Sequence, residues 1–335
     1  KENHALWCLL VTQAQYKQAL KIPSDSLVRI AYDYYKPTNN ARRKAMSALY
    51  MGGVNYNLGN VEEAVVFYLE AKTEMEKTSD YQLGYLIMSG LSNIYLYRDI
   101  TTYALEACAQ AYDYAVKDSN KRYQMSSLLF FARCYCLLDK LDIAEQKYKQ
   151  CSAIALELGK KNFYDIAMQD LAALYKNSHR YTESLLILKS LPFNPQVSLL
   201  FGQNYLLLNQ LDSANYYLKK SLYTDNIYTK RTAYIGLYKL AEYPVYQKNM
   251  KTYCDSLLFY TDSVMSLDKG KEIIAYKEKY DHQKLITEQQ RLKLEKADAQ
   301  RMMFIITICL IIVIAIVAYL YQKRLVRKET TIRKQ

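Results

Sequence analysis

Over the first 270 residues, apolar positions recur at the three-and-four spacing of amphipathic helices and are broken by short polar turns. Five segments repeat that design: NLGNVEEAVVFYLEA, YRDITTYALEACAQA, LLDKLDIAEQKYKQC, NSHRYTESLLILKSL and LLNQLDSANYYLKKS. Each reads as a turn followed by a helix with a small residue near its start. Those residues are Ala64, Ala104, Ala144, Ser184 and Ala214, separated by 40, 40, 40 and then 30 positions. Twelve positions before each stands another small residue: Gly52, Ser92, Ala132, Ala172 and Gly202. Small side chains at a fixed offset let two antiparallel helices approach where they cross, while aromatic and aliphatic residues fill the remaining space. The unit is therefore a helical hairpin.

Tyr95, Tyr135, Tyr175 and Tyr205 follow the small residue of their first helix by three positions, and Tyr68 and Tyr148 follow that of their second helix by four, so both sets share its face. They read as packing. Gly52, Ala64, Tyr68 and Ala71, then Ser92, Tyr95, Ala104 and Ala111, then Ala132, Tyr135, Ala144 and Tyr148 form a small, small-or-aromatic pattern that resembles the tetratricopeptide repeat (TPR). The early Trp and closing Pro of that repeat are missing, and 40 residues exceeds its usual ~34, so the units are elongated. The resemblance implies a right-handed all-α solenoid of antiparallel helix pairs that binds a protein or peptide, with the first helix of each pair lining the groove. Carried onto this chain, it places Tyr56, Asn93, Arg133, Gln169, Lys176 and Gln203 toward the groove, a mixed polar and basic strip suited to a peptide backbone or a carboxylate.

The expected organisation has six parts. Residues 1–40 form an N-terminal capping hairpin with Ser24 or Asp25 as a helix cap and Pro37 past its stop. The TPR-like repeats occupy 41–222, and Pro192 and Pro195 mark a bend or a shortened hairpin where the spacing falls to 30. A divergent capping hairpin follows over 223–268. Residues 269–301 are rich in helix formers and predict a long juxtamembrane helix. Leu285, Leu292 and Ala299 repeat by seven, but Glu288 and Glu295 weaken the heptad, which leaves a solvated helix and a homodimeric coiled coil both open.

Residues 302–321, MMFIITICLIIVIAIVAYLY, carry no charge, and at ~1.5 Å rise per residue they match the ~30 Å hydrocarbon core of a bilayer, which predicts one transmembrane helix. Residues 322–335 carry six basic side chains against Glu329, a net of +5, and read as a cytoplasmic segment by the positive-inside tendency. That orientation puts the repeats on the periplasmic side of a bacterial inner membrane, the tail against anionic lipid. Residue 1 is Lys, so export requires a leader already removed, and the ending at Gln335 within a polar helical run reads as a cut. Six cysteines before the span weigh against an oxidising compartment.

Composition narrows the chemistry. There are 9 Gly and 5 Pro against 35 Tyr, too few turn formers for a sandwich, a barrel or a Gly-rich phosphate loop. The +12 net charge gathers near the span, which favours a lipid surface over nucleic acid as its partner within this chain. No C-x-x-C pair, nucleophile elbow, Walker loop, HExxH or kinase motif occurs; His4, His179 and His282 are far apart. No cofactor, metal or catalytic group is implied. The layout resembles bacterial one-span membrane-anchored TPR regulators, which implies a sensor that signals to a transcriptional or kinase module beyond the span. A non-signalling adaptor for envelope complexes is the second reading, and a membrane-bound enzyme with its catalytic domain elsewhere is the third.

Overall fold

The computed structural model describes residues 1–265 and 270–332, including the side chains of 272–308, 322 and 323 in the last helix; among them there is no strand. The chain divides into two units, Lys1–Lys277 and Glu278–Gln335. The first is a row of helical hairpins: α1 (Glu2–Lys17) with α2 (Ser26–Tyr35), α3 (Ala41–Leu58) with α4 (Val61–Met75), α5 (Tyr81–Tyr97) with α6 (Thr101–Lys117), α7 (Lys121–Leu137) with α8 (Leu141–Glu157), α9 (Lys161–Asn177) with α10 (Tyr181–Ser190), α11 (Pro195–Leu207) with α12 (Leu211–Lys220), and α13 (Ile227–Leu240) with α14 (Met250–Met265). First helices of successive hairpins also lie side by side, α3 on α5, α5 on α7, and onward to α13, so they form one continuous layer. This is a TPR-like α-solenoid.

The turns explain the 40-residue period. Seventeen-residue helices alternate with three-residue turns from α5 to α9, and each turn has its middle residue in the left-handed region. Within hairpins those residues are Gly59, Asp99, Asp139, His179 and Asn209, spaced 40, 40, 40 and 30 like the small residues that follow them. The next amide reaches back five residues to close the helix, as Asn60 does to Asn55 (2.9 Å), Lys140 to Tyr135 (2.9 Å) and Gln210 to Tyr205 (2.8 Å). Gly, Asn, Asp and His tolerate that conformation better than branched residues. Several first helices are instead started by a side chain: Asn40, Asp80, Asn120, Asn194 and Asn226 each accept from the amide three residues on.

The small residues meet at the crossings. Ala64, Ala104, Ala144, Ser184 and Ala214 are all inaccessible to solvent, and Ser184 Oγ donates to the Ala172 carbonyl at 2.8 Å, so the paired small positions touch directly. Four residues after the small position of α4, the Tyr68 ring is wedged between two glycines. A Cβ on Gly52 in its own hairpin would lie 3.1 Å from the ring, and one on Gly90 in the next would lie 2.6 Å away. Leu218 occupies the same position in α12 between Gly202 and Gly236. One side chain thus locks three helices. Helix α3, enclosed by α1, α2, α4 and α5, is buried on every side from Ala45 to Asn55.

Beyond α9 the design shortens. Pro192 and Pro195 end α10 after ten residues and start α11 at its first turn, where the missing amide costs nothing and Asn194 caps. Helix α12 is also ten residues long. The shortened hairpin expected from the two prolines is what forms there. At the N-terminal cap, Asp25 precedes α2 without a side-chain capping bond and pairs instead with Arg29.

Helix α15 (Gly270–Ile332) is unbroken over 63 residues. In the first unit, its Ile273 is buried and the Lys277 ammonium sits 4.3 Å from the centroid of the Tyr103 ring. In the second unit, Leu285 and Leu292 are both about half exposed, and the large apolar residues Met302, Met303, Phe304, Ile305, Ile306 and Ile308 face outward around the helix. Among the described residues no helix is long and apolar enough to cross a membrane. The backbone is helical throughout the span expected at 302–321, but the side chains of 309–321 lie outside those described.

Candidate functional site

Three cavities open on the layer of first helices, and they differ in chemistry. The first, of about 670 Å³, is shared by α1, α3, α5, α7 and the start of α9. Its walls are aromatic: Tyr16, Tyr50, Tyr56, Tyr85, Tyr123 and Phe130. Tyr85 and Tyr123 stack across the α5–α7 junction with ring centroids 3.9 Å apart, and Tyr16 meets Tyr50 edge-on at 5.8 Å. The hydroxyls are tethered within the wall. Asn93 Nδ2 donates to Tyr56 at 3.2 Å and Gln82 Nε2 donates to Tyr123 at 3.1 Å. Burial raises the phenols of Tyr50, Tyr56 and Tyr85, so at neutral pH they stay protonated. Lys17 and Arg122 bring cations to the same lining. Rigid rings with fixed hydroxyls offer flat apolar area at little entropic cost, a surface suited to apolar or aromatic side chains of an extended peptide.

The second cavity, about 440 Å³ between α5, α7, α8 and α9, is electrostatically closed. Arg133 Nε donates to Asp170 Oδ2 at 2.7 Å and Arg133 Nη1 donates to the Tyr97 hydroxyl at 3.3 Å. Burial pushes the Asp170 carboxyl up and Arg133 pulls it back. The third, about 310 Å³, lies where α9, α11 and α13 converge. Lys176 and Lys239 both line it, and Lys176 Nζ donates to Gln203 Oε1 at 2.8 Å. Burial, then the neighbouring Lys239 charge, depresses the Lys176 amine below its ordinary value.

The six groove residues expected from sequence therefore do not form one strip. Tyr56 and Asn93 meet in the aromatic cavity, Lys176 and Gln203 meet in the third, and Arg133 is held by an internal partner. Gln169 is half-buried on α9 and lines none of the three. Sequence reasoning passed over Tyr16, Tyr50, Tyr85 and Tyr123, because tyrosine at helical spacing was assigned to packing. The missed signal is a stripe on α5 and α7 that runs out of the core into the cavity: Tyr85, Ser89 and Asn93 on α5, and Tyr123, Ser126 and Phe130 on α7. Lys239 escaped because α13 lies beyond the regular spacing.

Four of the cysteines and two of the histidines are taken up by packing and turns. Cys108 and Cys134 place their sulfurs 4.0 Å apart across the α6–α7 junction, both inaccessible, and Cys8 and Cys151 are buried too. His179 occupies a left-handed turn and shares a 2.7 Å hydrogen bond with Tyr181, while His4 stacks on Trp7. Among the described residues no group of three His, Cys, Asp or Glu side chains is placed to hold a metal.

No family model and no curated protein matches the sequence. Solved structures do. A Rap protein complexed with competence and sporulation factor superposes with a TM-score of 0.58 at 12% identity, covering 81% of this chain and 88% of its own. NprR in complex with its cognate peptide NprX gives 0.55 at 15%, covering 83% and 85%. Aspartyl phosphate phosphatase F from Bacillus subtilis gives 0.51 at 15%, covering 83% and 79%. At these identities the likeness is one of fold alone.

Proposed function

We propose that this chain is a membrane-anchored TPR sensor or scaffold. It captures a protein or peptide on its layer of first helices and passes the event through one transmembrane helix to a regulatory module on the far side. The observation that carries the reading is the aromatic cavity, whose tyrosines come from consecutive hairpins, so that a ligand filling it touches α3, α5 and α7 together and resists their relative movement. The likeness in fold to NprR, solved in complex with its cognate peptide, supports a peptide as the ligand. The anchor rests on the uncharged run at 302–321 and on the outward-facing apolar residues that begin it. The basic tail supports a cytoplasmic C-terminus in a bacterial inner membrane, with the repeats periplasmic and the anionic leaflet as second partner. A homodimer through the juxtamembrane helix supplies a route for the signal. No chemical step is assigned to the chain.

Binding is tested on the full chain with a rhodamine-labelled pool of amidated, uncharged octapeptides followed by fluorescence anisotropy. Tyr123→Ala should weaken binding about 10-fold or more, since buried tyrosines carry a large share of interface energy, while Leu186→Ala on the exposed face of α10 should not change it. Equal loss in both, or none in either, removes the cavity from the function. Orientation is tested by protease added to spheroplasts, because most native thiols in the repeats are buried and would escape an impermeant thiol reagent. Digestion of the repeats supports the anchor as oriented; protection of the repeats with loss of the tail reverses it. The adaptor reading is separated by output: a peptide that binds but changes no transcript or phosphorylation favours the adaptor.

A further inference from the structure

We infer that the pocket at the junction of α9, α11 and α13 is a carboxylate subsite, which makes the ligand of the proposed groove an acidic peptide. This rests on the peptide reading and narrows it. Lys176 and Lys239 belong to helices two hairpins apart, and a shortened intervening hairpin brings them to one cavity. Each stands in the last turn of its helix, where the carboxyl end of the helix dipole tolerates a cation. Among the described residues neither ammonium forms an ion pair; the hydrogen-bond partner of Lys176 is the neutral Gln203 carbonyl. The two cations share one lining whose single carboxylate, Glu242, is in salt-bridge contact with neither of them. The contrast one hairpin away is direct, since Arg133 has Asp170.

The lining fixes the size and polarity of what enters. Leu206, Leu207 and Ile235 make an apolar floor, and about 310 Å³ holds a side chain or a chain end rather than a folded partner. With Gln203 Oε1 already accepting from Lys176, its Nε2 is left as a neutral donor for a carboxylate oxygen. Glu242 on the rim adds a negative charge that disfavours a polyanion such as nucleic acid and suits a single carboxylate with a donor amide behind it. The carboxylate has two sources in a peptide, an Asp or Glu side chain and the terminus.

The test measures anisotropy of three rhodamine-labelled octapeptide pools on the full chain: amidated and neutral, amidated with one Glu, and neutral with a free C-terminus. Wild type should hold one of the carboxylate pools about tenfold tighter than the neutral pool, and which one identifies the source. Lys176→Met and Lys239→Met should each abolish that preference while leaving the neutral pool's affinity intact, and Lys219→Met on the exposed face of α12 should preserve it. Equal affinity for all three pools in wild type, or a preference that survives both pocket substitutions, overturns the carboxylate subsite and leaves the groove standing. No binding by any pool removes the groove and this subsite with it.

Discussion

The regular and the shortened halves of the solenoid solve the same electrostatic problem in opposite ways. In the second cavity, within the regular half, the cation is neutralised from within: Arg133 on α7 meets Asp170 on α9 at 2.7 Å, across a junction set by the 40-residue spacing. In the shortened half, Lys176 on α9 faces Gln203 and a second lysine. A charge with a built-in partner serves the fold, and one without serves a ligand at some cost to stability. The location of a basic residue in the groove therefore does not assign its role; the partner does.

Asp170→Asn should produce the largest effect. It leaves Arg133 without its counter-charge in a site where both side chains are roughly three-quarters covered, at a cost of about 2–3 kcal/mol. Arg133→Met combined with Asp170→Asn should recover most of the loss, so a double-mutant cycle in urea melts measures the coupling; a loss that the second change does not rescue places the role of Asp170 elsewhere. Next comes Gly90→Ala. The new methyl meets the Tyr68 ring, which cannot retreat because Gly52 backs its other side, and about 1–2 kcal/mol of overpacking is expected. Gly236→Ala meets the flexible tip of Leu218 and should cost less. Equal midpoints for the two would show that the wedge in α4 is no stiffer than that in α12.

The repeat was legible because its cause is local. Left-handed turn residues at 59, 99, 139, 179 and 209 and the small residues five positions later are fixed by backbone sterics and by helix approach, and both leave marks at constant spacing. Pro192 and Pro195 marked the change of length for the same reason. The site was only partly legible. Tyr56 and Asn93 stand four positions and one position after the small residues of their first helices, near enough to that mark for the resemblance to place both toward the groove, whereas Lys239 requires knowing how far α11 and α13 close up after a shortened hairpin. Whether Arg133 faces a ligand or Asp170 depends on a rotamer across 37 residues, which no local pattern encodes.

The smallest expected effect has a distinctive pH signature. Lys176→Met removes a desolvated cation from beside Lys239 and should stabilise the chain by up to about 1 kcal/mol at pH 7, opposite in sign to Asp170→Asn. Because the folded-state amine titrates below its usual 10.5, the unfolded chain binds more protons over the interval between the two values, and wild-type stability gains there as pH rises. Below that interval the lysine is charged in both states and the full penalty applies; above it the lysine is neutral in both and the penalty is gone. The advantage of the methionine variant in thermal melts should therefore be greatest at neutral pH and shrink as pH approaches 10.5. Tyrosines and other lysines that titrate in that range are common to both proteins and cancel in the difference. A gap between the two proteins that stays constant with pH would mean that Lys176 is solvated in the fold, and would place it with surface lysines such as Lys219.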